Sequence, residues 1–239
     1  MTAIWGHRGA SGQAPENTMP AFELAFEQGA DGIEFDVQLT RDHEVVVIHD
    51  KTLERTTDGA GRVADHSLAE LRRLDASMGR EGFAGARIPL LAEALELVAG
   101  TDRVVNIELK SAPASAGLEE AVLDVVADAD VDDDQVVLSS FNHYALRRIQ
   151  GLGSPLGLGA LYSDRLFKPW KYASRLGVEF LHPPLKAVGG RRLVERSHEA
   201  GLRVHVWTVN APAQLERMGR LGVDAVITDV PDVARAVLR

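Results

Sequence analysis

Two carboxylates and a histidine with the potential for chemistry lie within one short stretch of the chain. Glu34 and Asp36 are two residues apart in an apolar segment, so on a β-strand their side chains project from the same face. The polar residues 41–44 predict a tight turn into a second strand. If the turn is centred in the middle of that run, His49 lies directly opposite Asp36 and on the same face. We therefore expect two acids and an imidazole to converge on one small patch.

The alternative is that Glu34 and Asp36 form the solvated face of an ordinary strand. The residues around them are apolar enough for the whole segment to be buried. Two acids on a buried strand need a cation or charged partners, because an unpaired buried charge is strongly destabilising. The spacing alone leaves both interpretations open.

The composition limits the fold and the partners. The chain has 239 residues, of which 45% are hydrophobic, and this length is typical of a single α/β barrel. Its 26 basic and 35 acidic residues give a net charge of −9, and there is no long basic run. This balance argues against DNA, RNA or an anionic membrane surface as the main partner. The absence of cysteine excludes disulfides and thiol chemistry.

The N-terminus lacks the basic start and apolar core of a secretory signal. No apolar run approaches the roughly 18 residues that are needed to span a bilayer. We therefore expect a cytoplasmic protein without stable membrane association. The sequence leaves its oligomeric state open.

Apolar strand-like segments alternate with amphipathic helical segments along the chain. Strands are predicted at 3–6, 33–37, 104–109, 136–140, 156–161, 180–181, 204–208 and 225–228. Helices are predicted from Asn17 as N-cap to Gly29, from Pro89 onward, and near 117–128, 143–150, 169–176, 190–200, 211–220 and 231–238. Eight such units favour a closed (β/α)8 TIM barrel, an α/β fold, as one domain over 1–239. Residues 45–48 would extend the second strand, and the turn-rich residues 51–88 would form an inserted cap.

Polar residues fall at the carboxyl ends of these strands, which is the end of a TIM barrel where chemistry takes place. The set comprises His7-Arg8, Glu34, Asp36, Glu108, Lys110, Ser139-Ser140, His182, Trp207 and Asp229. Its three glutamate and aspartate residues from the second and third barrel strands offer oxygen ligands suited to Mg²⁺ or Ca²⁺. Arg8 and Lys110 are donors suited to phosphate oxygens, and His7 and His49 exchange protons near neutral pH. Such a set meets the requirements of phosphodiester cleavage.

Short motifs that resemble those of glycerophosphodiester phosphodiesterases run in order over nearly the whole chain. They are His7-Arg8-Gly9, Pro15-Glu16-Asn17-Thr18, Gly29-Ala30-Asp31, Ile33-Glu34-Phe35-Asp36-Val37-Gln38-Leu39-Thr40, Val47-Ile48-His49-Asp50, Leu53 with Arg55-Thr56-Thr57, Ile88-Pro89, Ile107-Glu108-Leu109-Lys110, Ser139-Ser140-Phe141 and Trp207-Thr208-Val209-Asn210. Ten motifs in a fixed order are far more specific than any one of them.

The resemblance implies a barrel of the phospholipase-C-like phosphodiesterase type. In such a barrel His7 and His49 are the acid/base pair. Glu34, Asp36 and Glu108 are the ligands of one divalent cation, Mg²⁺ or Ca²⁺.

The resemblance also implies how the substrate is held. Arg8 and Lys110 would bind the phosphate, Trp207 would line the substrate end, and residues 51–88 correspond to the cap that shapes the glycerol pocket in the family. The expected reaction converts a small-molecule glycerophosphodiester and water into an alcohol and sn-glycerol 3-phosphate.

Several alternatives remain open at this point. Water attacks the phosphorus directly, or the glycerol 2-hydroxyl attacks first and forms a cyclic phosphodiester. The sequence does not say which histidine is the acid. A lysophospholipase D or a cyclising phosphodiester lyase on the same barrel, and a catalytically silent barrel that binds phosphodiesters, are the rival functions. An apolar cap surface would favour the lysophospholipase. We interpret His182, His205 and Asp229 as structural, and Glu16 and Asn17 as helix-start residues, with bracing of the catalytic histidines from behind as the alternative for the latter pair.

Overall fold

The computed structural model describes residues 1–111 and 116–239 and shows a barrel of eight parallel strands. We name these strands β1, β2 and β4 to β9, and they are Ala3–His7, Gly32–Leu39, Val104–Leu109, Val136–Ser140, Gly157–Leu161, Phe180–His182, Arg203–Val206 and Ala225–Thr228. Strand β1 pairs with both β2 and β9, which closes the sheet into a (β/α)8 TIM barrel. The predicted fold is confirmed.

Helices connect the strands on the outside of the barrel. They are α1 (Met19–Glu27), α2 (Leu68–Leu71), α3 (Leu91–Glu96), α4 (Leu118–Asp128), α5 (His143–Gly151), α6 (Pro169–Leu176), α7 (Arg191–His198), α8 (Pro212–Leu221) and α9 (Pro231–Leu238). The predicted N-cap of α1 is wrong, because Thr18 and not Asn17 occupies that position. Asn17 has a left-handed backbone conformation with φ of 56°. Its side-chain nitrogen Nδ2 donates to Asp36 Oδ2 at 2.9 Å. Its side chain is used inside the barrel and not at the helix end.

Strand β2 is buried over its whole length. Phe35 packs outward against Phe22 of α1, with a ring-centroid distance of 5.3 Å. Because side chains alternate along a strand, Glu34 and Asp36 project into the barrel interior. Their exposed fractions are 4% and 0%, so the interpretation as a solvated face is wrong.

The hairpin after β2 is closed by a three-residue loop, and its centre differs from the predicted one between residues 42 and 43. Strand β3 (Val45–Val47) pairs antiparallel with β2, and the Thr40 amide donates to the Glu44 carbonyl at 3.0 Å. His43 has φ of 65°, the left-handed conformation that commonly ends a three-residue hairpin loop. The loop is therefore centred on residue 42.

This loop shifts the register by one residue from the predicted one. The Ile48 amide donates to the Asp36 carbonyl at 2.9 Å, so Ile48 and not His49 lies opposite Asp36. The predicted pairing is wrong. Strand β3 ends at Val47, and His49 reaches the barrel end from the irregular segment beyond it.

Residues 51–88 form the predicted inserted cap between β3 and α3, with α2 inside it. A hydrophobic cluster separate from the main core holds the cap, and its buried members are Val46, Ile48, Leu53, Val63, Leu71, Ala76 and Ile88. Because Val46 and Ile48 belong to the hairpin segment, the cap is anchored beside the strand that carries Glu34 and Asp36. None of the helices found in residues 1–111 and 116–239 is long and apolar enough to cross a membrane.

Candidate active site

Three carboxylates meet at the carboxyl ends of two neighbouring strands. Strands β2 and β4 pair in parallel with Asp36 beside Glu108, and Glu34 lies two residues before Asp36 on the same face. One carboxylate oxygen from each residue lies within 4.8 Å of the other two. All three residues are buried, and the most exposed of them, Glu108, is 7% exposed. The two strands thus bring the three predicted ligands to one point.

Burial and mutual repulsion change the acidity of these groups. Burial and the charge of Asp36 raise the pKa of Glu34 to about 7 and the pKa of Glu108 to about 8. Burial also opposes ionisation of Asp36, but the charges of Lys110 and Arg8 outweigh it and lower the pKa of Asp36. Full ionisation of the cluster at neutral pH therefore requires more positive charge than these two side chains supply.

Arg8 and Lys110 lie on either side of Asp36. Lys110 Nζ is 2.8 Å from Asp36 Oδ1 and 2.5 Å from Glu108 Oε1. Arg8 Nε is 3.2 Å from Asp36 Oδ2, and its Nη1 is 2.7 Å from Glu16 Oε1. Both cations also line the pocket above the acids, so an anion that enters the pocket meets them.

His7, at the end of β1, is held by a carboxylate that follows the last strand of the barrel. Its Nδ1 lies 2.6 Å from Asp229 Oδ1, and its Nε2 lies 4.0 Å from Glu34 Oε2. Asp229 also accepts from Ser11 Oγ at 3.0 Å and from Asn210 Nδ2 at 2.6 Å. With Nδ1 donating to Asp229, Nε2 is directed into the pocket. Burial lowers the pKa of His7, but the bond to Asp229 and the charge of Glu34 outweigh this and raise it overall.

His49 is held in the same way by its neighbour in the chain. Its Nδ1 is 2.6 Å from Asp50 Oδ1, and Asp50 Oδ2 is 2.5 Å from Arg55 Nε. Arg55 also donates through Nη1 and Nη2 to Glu16 at 2.7 and 2.8 Å, and Glu16 in turn pairs with Arg8. A continuous series of ion pairs therefore connects His49 with Arg8. Burial lowers the pKa of His49. The charge of Asp36 opposes this, but the charges of Lys110 and Arg8 add to the effect of burial, and the pKa is lowered overall.

These groups line a pocket of about 180 Å³ whose opposite wall is apolar. Phe141, Leu161, Trp207 and Ile227 form that wall. Trp207 Nε1 donates to the His182 carbonyl at 2.8 Å, and the Trp207 ring lies edge-on to Phe141 at a centroid distance of 5.6 Å. Trp207 therefore lines the pocket, and its contact with substrate stays a prediction.

The acid cluster fits a hard divalent cation. Mg²⁺ and Ca²⁺ prefer oxygen ligands, whereas sites for zinc usually include histidine or cysteine. The cluster offers three buried carboxylates at ligand-like separations, and the raised pKa values of Glu34 and Glu108 show that positive charge placed among them would be stabilised. The donor set therefore suits Mg²⁺ or Ca²⁺.

The structure brings all the predicted site residues together in the pocket or the acid cluster beneath it. They are His7, Arg8, Glu34, Asp36, His49, Glu108, Lys110 and Trp207. Their separate roles stay predictions. His182 and His205, which we interpret as structural, are 0% and 3% exposed in the barrel interior, with ring centroids 5.0 Å apart.

Four residues around the site have contacts that the sequence interpretation misses. Interpreting Asp229 as structural overlooks its bond to His7, and Asp50 receives no role although it holds His49. Glu16 and Asn17 contact Arg8 and Asp36, and not the histidines that we consider as their alternative partners. The position of Asp229 at the end of the last strand is a usable signal, because a closed barrel places that strand beside the first.

Comparison with known proteins agrees with this geometry. The family model described as "Glycerophosphoryl diester phosphodiesterase family" matches residues 7–233. A glycerophosphodiester phosphodiesterase of Caldanaerobacter subterraneus subsp. tengcongensis is 43% identical, over 100% of this chain and 98% of its own length. A glycerophosphodiester phosphodiesterase of Bacillus altitudinis is 42% identical, over 98% of this chain and 97% of its own length.

Solved structures give the same result. A phosphodiesterase of Oleispira antarctica, solved in complex with the product sn-glycerol-3-phosphate, superposes with a TM-score of 0.91 at 32% identity and covers 100% of this chain and 97% of its own. A putative glycerophosphoryl diester phosphodiesterase of Silicibacter pomeroyi gives a TM-score of 0.92 at 29% identity, over 100% of this chain and 93% of its own. The chain belongs to the glycerophosphoryl diester phosphodiesterase family.

Proposed function

We propose that this protein hydrolyses glycerophosphodiesters to an alcohol and sn-glycerol 3-phosphate, with one divalent cation and two histidines at the site described above. The observation that carries the proposal is the pairing of a buried acid cluster with two imidazoles whose Nδ1 atoms each contact a carboxylate at 2.6 Å. The names of the relatives and the product bound to the Oleispira antarctica enzyme support the same substrate class.

In this proposal Glu34, Asp36 and Glu108 hold the cation. When bound, it would withdraw charge from the phosphate oxygens and offset the repulsion among the three acids. Lys110 and Arg8 lie at the edge of the cluster and donate to phosphate oxygens as negative charge develops on them. Because both cations already pair with Asp36, they are positioned before the substrate arrives.

The two histidines carry out the proton transfers. One Nε2 removes a proton as the attacking oxygen forms its bond to phosphorus, and the other Nε2 donates a proton to the alkoxide as its bond to phosphorus breaks. Asp229 and Asp50 each fix a ring through its Nδ1 atom and stabilise the imidazolium when it forms. Direct attack by water reaches glycerol 3-phosphate with these two transfers. Attack by the glycerol 2-hydroxyl uses them to expel the alcohol and form a cyclic phosphodiester, and a second pair of transfers then follows, in which water loses a proton as it attacks phosphorus and the 2-oxygen gains one as its bond to phosphorus breaks.

A coupled assay for glycerol 3-phosphate tests the proposal. Purified protein with Mg²⁺ or Ca²⁺ should release glycerol 3-phosphate from glycerophosphodiesters, and ³¹P NMR of the same reaction should detect a cyclic phosphodiester if the 2-hydroxyl attacks first. Release of a cyclic phosphate as the final product would instead identify a lyase. Tight binding of the diesters without any turnover would identify a catalytically silent barrel.

A further inference from the structure

An apolar groove runs outward from the catalytic pocket on the side of β5 and β6. Its walls include Phe141, His143, Leu161, Leu166, Phe167 and Tyr172, and its volume is about 520 Å³. We call these six residues the aromatic groove. Ser163 and Asp164 also border it, and the Asp164 carboxylate is paired with Lys186 at 3.1 Å. Phe141, Leu166, Phe167 and Tyr172 are 44%, 42%, 88% and 43% exposed. A cluster of large, exposed apolar side chains is typical of a surface that binds a ligand or a partner.

The groove is continuous with the site at which the phosphate would bind. Phe141 and Leu161 line both the groove and the catalytic pocket, so no barrel element among residues 1–111 and 116–239 separates the two. A molecule whose phosphorus lies at the acid cluster can therefore extend directly into the groove. This continuity indicates part of a substrate, rather than a separate partner protein, as the occupant.

Side-chain contacts hold the inner part of the groove in shape. His143 Nδ1 is 2.6 Å from the Tyr172 hydroxyl, and His143 Nε2 is 2.8 Å from the Leu161 carbonyl. Phe141 packs edge-on against Trp207 at 5.6 Å. Hydrogen bonds and a ring contact therefore connect the walls nearest the pocket, while Leu166 and Phe167 project from the loop that follows β6.

The two sides of the catalytic pocket suit different substituents of a phosphodiester. Towards β1 and β3 the pocket is bordered by His7, Arg8 and His49, with Asp50 and Arg55 behind them. Such groups hydrogen-bond to hydroxyls, so a glycerol moiety fits this side. The opposite side offers carbon atoms, which are stabilised by contact with other apolar groups.

We propose that the aromatic groove binds the alcohol part of the substrate, and that this alcohol carries an apolar chain. The inference rests on the proposed function and adds the class of leaving group to it. The groove lies beyond β5 and β6, whereas the cap packs on the hairpin that follows β2, so the groove is not part of the cap.

A series of alkyl esters of glycerol 3-phosphate tests the inference. The methyl, butyl and octyl esters differ only in the length of the leaving alcohol. Full burial of one methylene raises an affinity about fourfold. Because the groove is open on one side, we expect each added methylene to be only partly buried and to raise kcat/KM about twofold. The readout is the ratio of kcat/KM for the octyl ester to that for the methyl ester.

Substitutions in the groove provide the second measurement. The double variant Leu166→Ser and Phe167→Ser changes two exposed side chains, so it should fold, and it should lower the octyl-to-methyl ratio by at least about fivefold. Leu152→Ser is the matched control, because Leu152 is 48% exposed at the end of α5, on the opposite face of the barrel. The control should leave the ratio unchanged.

The outcomes separate the two proposals. If no ester releases glycerol 3-phosphate, the proposed function is wrong and the inference fails with it. If all esters react at the same rate, or if the double variant keeps the full ratio, the function stands and the groove proposal is wrong. A second set of esters carries the alkyl chain as an ether on the glycerol instead. Dependence on chain length in that set alone would assign the groove to the glycerol side and overturn the inference.

Discussion

The two sides of the pocket differ in how their side chains are held. On the side of β1 to β4 the charged groups are interlinked, as where Lys110 lies between Asp36 and Glu108 at 2.8 and 2.5 Å. On the side of β5 and β6, aromatic side chains such as Phe141 and Phe167 are 44% and 88% exposed. A linked polar network fixes the positions of charge, whereas the contribution of an apolar surface grows with the area that it covers. Changes on the polar side should therefore reduce the hydrolysis of every diester, and changes on the apolar side should depend on the substrate.

Removing the cation should cause the largest loss of hydrolytic activity. We expect EDTA to lower kcat for all diesters by at least about 10³-fold, because a divalent cation contributes several kcal/mol of charge stabilisation to the transition state. Steady-state assays before and after dialysis, with Mg²⁺ or Ca²⁺ added back to restore the rate, provide the measurement. Full activity of the metal-free protein would refute the assignment of Glu34, Asp36 and Glu108 as ligands.

Replacement of either histidine should have the next largest effect. His7→Ala and His49→Ala should each lower kcat by about 10²- to 10⁴-fold, which is the usual contribution of a general acid or base. Circular dichroism would confirm that the variants fold. A variant that retains the wild-type rate removes its histidine from the mechanism.

Replacement of the carboxylates that contact the histidines should lower kcat by a smaller factor, and this factor should depend on pH. Asp229→Asn and Asp50→Asn should lower kcat by about 10- to 100-fold and move the pH–rate profile, since each carboxylate orients one imidazole and stabilises its charged form. Asp224→Asn is the matched control, because Asp224 contacts His198 at 2.8 Å outside the site. Equal losses in all three variants would indicate a general structural effect instead of positioning.

The smallest predicted effect is a loss of stability of the metal-free protein as the pH rises. Glu34 and Glu108 have folded-state pKa values of about 7 and about 8, above the ordinary value of 4.5, so the folded state binds more protons than the unfolded state within that range. Stability is therefore greatest below about pH 4.5 for these two groups and is lost as the pH rises to about 8. We expect Tm to fall by at least about 2–4 °C over this range.

Thermal denaturation in EDTA measures this change. The same series with Mg²⁺ should show a smaller fall, because a bound cation favours the ionised carboxylates. Glu34→Gln removes one of the two titrations and should reduce the fall in the metal-free protein. A fall of the same size in Glu34→Gln would show that the buried carboxylate is not its cause.

Much of the barrel is predictable because its signals are local. Strand β4 and helix α4 follow from short patterns of apolar residues that lie next to one another in the chain. The face that Glu34 and Asp36 share follows from the two-residue period of a strand alone. These features do not depend on the rest of the fold.

The features that sequence reasoning misses depend on a single backbone angle or on distant contacts. The hairpin register changes because His43 adopts the left-handed conformation, which its residue type permits but does not require. Asn17 leaves the helix end because Asp36 lies within hydrogen-bonding distance. Phe167 resembles any other apolar residue in the sequence, and only the folded loop shows it to be 88% exposed.

The pair formed by His7 and Asp229 joins residues that are 222 positions apart. A nascent chain on the ribosome therefore lacks this pair until almost all of its length has been synthesised. The proposed cation ligands, by contrast, all come from the first 108 residues and are available much earlier. Contacts of such long range form late and slowly in folding. Recovery of enzymatic rate after dilution from denaturant should consequently lag behind recovery of metal binding, and the delay would report the moment at which the barrel closes.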